Sequence, residues 1–166
     1  MLSFTRQGVA FQVRAAAVLI HDGRVLLHRA EGDDFWTLPG GRVEPDEDAM
    51  ATVKRELLEE LGECVTCQRL LYVVENFFDH GGSRQHEIAF YFLTSLRPGS
   101  GLATRTGLFP GIELEKKLQF GWFEFAEAKT LKLYPEFLRQ DLGDFGEGIR
   151  HVVERDDASV RYGSSS

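Results

Sequence analysis

Residues 46–61 restrict the possible folds more than any other segment of the chain. Pro45 precedes them, acidic side chains crowd their first turn, and Gly62 follows their last residue. These are the usual signals for the start and the end of a helix. Four apolar residues recur at helical spacing along the segment: Met50, Val53, Leu57 and Leu61. The sequence therefore predicts a helix over residues 46–61, about 24 Å long, with one stripe facing a core.

The segments on either side of this helix favour β-structure. An Asp-Gly pair at residues 22–23 joins two short apolar runs, which predicts a hairpin. Two longer β-rich stretches are separated by the polar turn 79–84 and are expected to pair antiparallel. A second helix with a break at Pro135 is predicted over residues 126–142, and a long surface loop over residues 97–118. The predicted strands are 15–20, 24–29, 65–78, 85–96, 119–125 and 149–154.

The chain has the size of one domain. Its 166 residues contain no Pro- or Ser-rich linker and no internal repeat with a period of roughly 20–50 residues. We therefore expect one mixed α/β domain over residues 1–166, with a mobile tail at residues 163–166.

Charge and hydrophobicity exclude several classes of partner. Asp and Glu outnumber Lys and Arg by 26 to 19, and the net charge of −7 disfavours broad binding to nucleic acid or anionic lipid. The apolar run 15–20 is far shorter than the roughly 20 residues that span a bilayer. Residues 1–12 carry no secretory signal pattern. The sequence predicts a cytoplasmic protein, in which any polyanionic ligand would need a cation beside it.

Three carboxylates lie on one narrow face of the predicted helix. Glu56, Glu59 and Glu60 occupy positions i, i+3 and i+4. Like charges at this spacing repel one another, and the adjacent Arg55 can neutralise only one of them. The remaining charge suits Mg²⁺ or Mn²⁺, because these ions prefer oxygen ligands. The alternative interpretation is a solvated acidic helix face, which is what most runs of charge are.

The residues around these carboxylates follow a known pattern. Gly41 is followed after five residues by Glu47 and, after seven more, by Arg55-Glu56-Leu57-Leu58-Glu59-Glu60-Leu61-Gly62. This spacing resembles the Nudix box of the Nudix hydrolase family, and every specified position through Gly62 matches. The box runs from Gly41 to Glu63, and its last position departs from the family pattern, which is aliphatic there. The preceding Trp36-x-Leu38-Pro39-Gly40 also resembles the family's usual approach to the box.

The resemblance implies a fold and a chemistry. The fold is an α/β/α sandwich with a mixed β-sheet, and the reaction cleaves the diphosphate of a nucleoside diphosphate linked to another group. A divalent cation neutralises phosphate oxygens and activates water for attack on phosphorus. By similarity, Mg²⁺ or Mn²⁺ would be held by Glu56, Glu59, Glu60 and the Gly40 carbonyl. The resemblance also makes Arg55 and Glu59 catalytic, Glu47 a structural acid, and Gly41 and Gly62 structural glycines.

Residues outside the box complete the predicted site. The candidates for the general base are Glu115 and Glu87, together with Glu113 in the same loop as Glu115. Each candidate in this paragraph also has an ordinary alternative role. A glutamate is usually only solvated, and most Phe side chains pack in a core. The candidates for substrate binding are Arg29, which would meet a phosphate, and Phe35 and Phe77, which would stack on a base. In members of the family that act on two particular groups of substrate, a Pro or a Tyr stands beyond the box at the position of residues 78–81. These residues contain neither, so the sequence does not identify the substrate.

Two other functions stay open. A Nudix-fold domain can bind a nucleotide as a sensor without cleaving it, although the complete set of box residues argues against this. A prenyl diphosphate isomerase on the same scaffold is disfavoured, because Cys64 and Cys67 lie just beyond the helix and not in a catalytic context. A homodimer is compatible with each of these functions.

Overall fold

The computed structural model describes residues 1–156, so the tail predicted at 163–166 lies outside the described residues. Nine strands of this part of the chain form one sheet. They are β1 (Ser3–Arg6), β2 (Val9–His21), β3 (Arg24–Ala30), β4 (Gly40–Arg42), β5 (Val65–His80), β6 (Ser83–Leu96), β7 (Phe109–Pro110), β8 (Leu118–Glu124) and β9 (Arg150–Arg155). The α-helices are α1 (Ala49–Leu61), α2 (Phe125–Ala128) and α3 (Leu138–Asp141). No helix among residues 1–156 has the length and apolar character needed to cross a membrane.

The sheet is mixed. Its strand order is β7-β8-β3-β2-β6-β5-β9, and β1 and β4 also pair with β2. Strand β2 runs parallel to β6 and β9 runs parallel to β5, whereas the other pairs are antiparallel. The predicted hairpin is confirmed between β2 and β3, where Asp22 and Gly23 have φ angles of 49° and 70°, as a tight two-residue turn requires. The predicted antiparallel pairing of β5 with β6 is also confirmed.

Helix α1 begins at Ala49, so the predicted start at residue 46 is wrong. The Asp48 side chain accepts a hydrogen bond from the Ala51 N–H at 2.8 Å and caps the helix. Asp46 has a φ of 62°, which is outside the helical region. The predicted end of the helix is confirmed, because Gly62 has a left-handed φ of 69° and acts as the C-terminal cap.

Two cores lie on opposite faces of the sheet. One packs under α1 and includes Ala15 and Ala17 of β2. The other lies under α2 and α3 and includes Ala16 and Val18 of the same strand, because successive residues of a strand point to opposite faces. The predicted α/β/α sandwich with a mixed sheet is therefore confirmed.

The second helical layer is shorter than predicted. The predicted break at Pro135 is confirmed, but the helical extent predicted over residues 126–142 is wrong, because α2 and α3 contain four residues each. Pro135 lacks an N–H and disfavours a helical conformation in the residue before it. The backbone between the two helices pairs with the Trp36 segment instead: the Trp36 N–H donates to the Lys132 carbonyl at 2.8 Å, and the Tyr134 N–H donates to the Trp36 carbonyl at 3.0 Å.

The predicted loop 97–118 contains a short 3₁₀-helix, Gly101–Thr104, in addition to β7. Leu102 and Phe109 of this segment are buried in the core under α1. The remaining part, 111–117, crosses the C-terminal half of α1, where the Ile112 N–H donates to the Glu60 carbonyl at 2.7 Å. The loop therefore lies directly beside the carboxylates of the helix.

Candidate active site

The Gly40-Gly41 pair brings the backbone of β4 against both β2 and α1. A Cβ at Gly40 would lie 2.1 Å from the Ala15 carbonyl oxygen, and a Cβ at Gly41 would lie 2.2 Å from the Glu56 carboxylate. The lack of a side chain at Gly41 is what allows Glu56 to lie directly under the turn. The Gly40 carbonyl accepts a long hydrogen bond, 3.4 Å, from Arg14 Nη2.

Arg55 binds three acids, Glu47 before α1 and Glu56 and Glu59 within it. Its Nε and Nη2 atoms donate to the two carboxylate oxygens of Glu47, at 2.8 and 2.9 Å. Its Nη1 atom donates to Glu56 at 2.9 Å and to Glu59 at 3.3 Å. The hydrogen bonds from Arg55 lower the pKa of Glu47 to about 2, although burial acts in the opposite direction. Glu47 therefore stays ionised at neutral pH and fixes the guanidinium at the start of α1.

Glu60 is deeply buried between α1 and the sheet, with 2% of its surface exposed. Burial raises the pKa of its carboxyl to about 7, with Lys116 opposing the shift and Glu56 adding to it. Glu60 Oε2 lies 4.0 Å from His28 Nδ1, and neither atom has a hydrogen-bond partner among residues 1–156. Burial also lowers the pKa of His28 to about 3, so the imidazole is neutral. A buried carboxylate oxygen without a partner fits the ligand of a cation.

Three carboxylates converge on the ammonium of Lys116. Its Nζ atom lies 3.4 Å from Glu56 Oε2, 3.3 Å from Glu60 Oε1 and 3.1 Å from Glu113 Oε2. Burial lowers the pKa of Lys116, but Glu113, Glu60 and Glu56 outweigh it and raise the pKa above its usual value. We call Glu56, Glu60 and Glu113 the carboxylate cluster. The loop 111–117 therefore supplies this cluster with one acid and one permanent positive charge.

The predicted metal ligands are engaged by cationic side chains of the protein. Glu56 and Glu60 contact Lys116, and the half-exposed Glu59 is turned toward Arg55. Within residues 1–156, no three His, Cys, Asp or Glu side chains are arranged so that they could hold a metal ion together. The donors are nevertheless hard oxygen atoms, one of them without a hydrogen bond, and this chemistry fits Mg²⁺ or Mn²⁺. Binding of such an ion requires the side chain of Lys116 or Glu59 to move.

The structure separates the candidates for the general base. Glu113 belongs to the carboxylate cluster, whereas Glu115 is exposed. Glu87 is 5% exposed on the face of the sheet away from α1, where it accepts a hydrogen bond from Gln12 Nε2 at 2.5 Å. No ion pair or hydrogen bond within the described residues joins Glu115 or Glu87 to the cluster.

Arg29 contacts Trp36, the residue that follows Phe35 in the chain. The guanidinium carbon of Arg29 lies 4.6 Å from the centre of the Trp36 ring. Phe35 packs edge-on against Tyr134, with ring centroids 5.7 Å apart. Both Arg29 and Phe35 are half-buried, so each keeps a face that a ligand can contact.

Phe77 lies on the other face of the sheet from Phe35, on the α1 side. Its ring stacks on His86 with centroids 4.4 Å apart, and the Arg155 guanidinium lies 3.9 Å from the ring centre. The structure therefore does not bring Phe77 together with Phe35, although their aromatic side chains were predicted to share one role.

The atypical last position of the box is accommodated at the surface. Glu63 accepts a hydrogen bond from Ser100 Oγ at 2.7 Å and stays half-buried. The same hydroxyl accepts from the Leu102 N–H at 3.2 Å. The charge at this position is therefore paired with the loop after β6 and does not enter the core.

Sequence reasoning missed Lys116. The charged residues at 113–117 were the one signal of interest in this loop. Only the acids among them were considered, as candidates for the general base. Lys116 is 60 residues from Glu56 along the chain, and no spacing pattern relates two residues so far apart.

The layers of the fold, the glycine turn and the acidic helix face together define a Nudix-type α/β/α protein. The NUDIX domain family model matches residues 11–140. The chain therefore belongs to the Nudix family.

Two relatives have established names. Diphosphoinositol polyphosphate phosphohydrolase 2 of Rattus norvegicus is 33% identical over 96 residues, which are 55% of this chain and 50% of the relative. CTP pyrophosphohydrolase of Escherichia coli (strain K12) is 45% identical over 51 residues, which are 28% of this chain and 38% of the relative. The chain thus spans half or less of the length of these two relatives.

Solved structures share the fold. The crystal structure of a MutT NUDIX hydrolase from Burkholderia pseudomallei is 25% identical, with a TM-score of 0.57, over 80% of this chain and 98% of that chain. The crystal structure of a NUDIX hydrolase from Nitrosomonas europaea has a TM-score of 0.60 at 19% identity, over 87% of this chain and 79% of that chain.

Proposed function

We propose that this protein is a divalent-cation-dependent pyrophosphohydrolase. It cleaves the diphosphate of a nucleoside diphosphate linked to another group, by attack of water on phosphorus. The observation that carries the proposal is the convergence of Glu56 and Glu60 on one cation position beside the Gly41 backbone. Membership of the Nudix family supports it, as do the names of the two relatives, which both describe phosphate hydrolysis.

Each part of the site has a role in this proposal. Glu56, Glu59, Glu60 and the Gly40 carbonyl would hold Mg²⁺ or Mn²⁺, which neutralises phosphate oxygens and lowers the pKa of bound water. Arg55 orients Glu56 and Glu59 through its hydrogen bonds.

The general base is an acid outside the box. Glu113 is the candidate that belongs to the carboxylate cluster, and Glu115 and Glu87 stay predictions that have to be compared with it. Arg29 and Phe35 are the residues that we assign to the phosphate and the organic half of the substrate. One domain over residues 1–166, a cytoplasmic location, a small-molecule substrate without nucleic acid or membrane partners, and a homodimer also stay predictions.

The proposal is tested by assaying the purified protein with Mg²⁺ and Mn²⁺ against a substrate panel. The panel contains nucleoside triphosphates, nucleotide sugars, ADP-ribose, dinucleoside polyphosphates and a diphosphoinositol polyphosphate. We expect metal-dependent release of phosphate-containing products from at least one compound. Silence across the panel, combined with nucleotide binding, would support the sensor function instead.

Variants of the box acids test the assignment of ligands. Glu59→Gln and Glu60→Gln should each reduce turnover by more than the roughly 10- to 100-fold that loss of an outer partner of a metal site costs. Glu63→Gln is the matched control, because it makes the same change next to the helix but contacts Ser100. Wild-type turnover in both ligand variants would refute the metal assignment.

Three further variants test the general base. Glu113→Gln, Glu115→Gln and Glu87→Gln should be compared through their pH–rate profiles, since loss of the base removes the acidic limb of the profile. We expect this change in Glu113→Gln. An unchanged limb in all three variants would place the base elsewhere.

A further inference from the structure

The ammonium of Lys116 occupies the position on which the carboxylate cluster is centred. The side chains of Glu56 and Glu60 are 7% and 2% exposed, whereas that of Lys116 is 40% exposed. The two acids are therefore held inside the protein while the lysine reaches them from the solvent side. One ammonium among three carboxylates leaves an excess of negative charge, which a divalent cation would compensate better.

The backbone around Lys116 is anchored independently of its side chain. The Ile112 N–H donates to the Glu60 carbonyl at 2.7 Å, and the Gly111 N–H donates to the Leu118 carbonyl at 3.2 Å. At the other end of the loop, the Lys117 carbonyl accepts from the Glu31 N–H at 2.9 Å. The flexible Lys116 side chain can therefore withdraw from the cluster without a change in the loop backbone.

Arg55, the second cation of the site, is held differently. It makes a bidentate pair with Glu47 and also donates to the Arg42 carbonyl at 3.1 Å. A guanidinium with so many directed hydrogen bonds is a fixed part of the site, whereas an ammonium on a four-carbon stem is a mobile point charge. Of Arg55 and Lys116, Lys116 is the exchangeable one.

We propose that Lys116 is a built-in counter-cation of the carboxylate cluster, which a divalent cation displaces when it binds to Glu56 and Glu60. This inference rests on the proposed function, because that function assigns both acids to the cation. A divalent cation that bound these two oxygens from the side that Lys116 faces, at 3.3 and 3.4 Å, would overlap the ammonium and be repelled by it. Lys116 therefore competes with the divalent cation and weakens its binding.

Binding of Mn²⁺ to the EDTA-treated protein tests this competition. Free Mn²⁺ is measured by electron paramagnetic resonance during titration of the wild type, Lys116→Met and Lys117→Met. We expect Lys116→Met to bind Mn²⁺ about tenfold more tightly, within the usual range of coupling between two binding events. Lys117→Met removes the same charge one residue away and should stay within about twofold of the wild type.

A second measurement needs no variant and reports the displacement itself. Lysine acetylation of the full-length wild type by a limiting reagent is followed by mass spectrometry with and without Mg²⁺. Lys116 should be acetylated faster when Mg²⁺ is present, because it has left its three acidic partners, while the rate at Lys117 should not change. Protection of Lys116 by Mg²⁺ would contradict the displacement.

The outcomes separate this inference from the proposed function. Unchanged or weaker Mn²⁺ binding in Lys116→Met overturns the inference, and the proposed function then stands if Glu60→Gln loses Mn²⁺ binding. If Glu60→Gln binds Mn²⁺ as the wild type does, the ligand assignment fails and the inference fails with it.

Discussion

Substitution of Gly41 by Ala tests the geometry of the site at a single atom. The new Cβ would lie 2.2 Å from Glu56 Cδ and Oε1, whereas ordinary contact begins at 3.4 Å. The carboxylate must therefore retreat by about 3.4 − 2.2 = 1.2 Å. The three atoms nearest to the methyl group all belong to the Glu56 carboxylate, at the end of a side chain that can move. The backbone should stay in place while Glu56 moves.

The expected loss of activity in Gly41→Ala is much larger than the loss of stability. A misplacement of about 1 Å at a reacting centre costs on the order of 100-fold in rate, and we expect at least this loss in turnover. The hydrogen bond from Arg55 to Glu56 contributes about 1.5–3 kcal/mol, and the stiffer unfolded chain of the Ala variant offsets about 0.4–1 kcal/mol. The net destabilisation of about 1–2 kcal/mol should lower the Tm by about 2–8 °C.

The assay combines turnover, Mn²⁺ affinity and thermal unfolding followed by circular dichroism. Gly101→Ala is the matched control, because an added Cβ there meets no atom within 4 Å, and it should behave as the wild type does. If Gly41→Ala keeps wild-type turnover and Mn²⁺ affinity, the Glu56 carboxylate does not act from the position that the structure gives it.

Three other substitutions have distinct expected effects. Gly40→Ala should lower the free energy of unfolding by about 3 kcal/mol, because its Cβ meets the Ala15 backbone at 2.1 Å; a Tm equal to that of Gly41→Ala would contradict this. Glu47→Gln should be less stable than the wild type by about 1–2 kcal/mol at pH 7. Because the folded pKa of Glu47 is depressed from 4.5 to about 2, this difference should persist above pH 4.5 and disappear as the pH falls through about 2; a difference in Tm that does not vary with pH would refute it. Asp48→Ala should cost about 1 kcal/mol through loss of the cap on Ala51, measured by urea unfolding.

The fold was predictable to the extent that local patterns specify it. The Asp-Gly turn, the long β-rich stretches and the apolar stripe of α1 each involve neighbours in sequence, and each prediction was confirmed in kind. The start of α1 was misplaced because Asp46, Glu47 and Asp48 all suit a helix start, and only the hydrogen bond to Ala51 identifies Asp48 as the cap. The helices on either side of Pro135 are shorter than predicted for a non-local reason, since the backbone between them pairs with Trp36.

Local sequence patterns were also insufficient to choose among the candidates for the general base. Glu113 and Glu115 are equivalent in sequence, being two acids in one loop. Their side chains differ in the structure because the Ile112 N–H is bound to the Glu60 carbonyl, and the loop then directs Glu113 toward the cluster. Glu87 was another candidate for the base, but strand alternation places it on the face away from α1, as it does Ala89 and Tyr91.

The sequence by itself determined the family, the sandwich and the helix face on which Glu56, Glu59 and Glu60 lie, because helical periodicity relates residues that are three and four positions apart. Only the tertiary structure decided which cation meets those acids. Lys116 reaches Glu56 and Glu60 across 60 and 56 positions of the chain, through a loop whose position depends on hydrogen bonds to α1 and to Glu31. Contacts of this kind follow from how separate elements pack, and no local spacing encodes them.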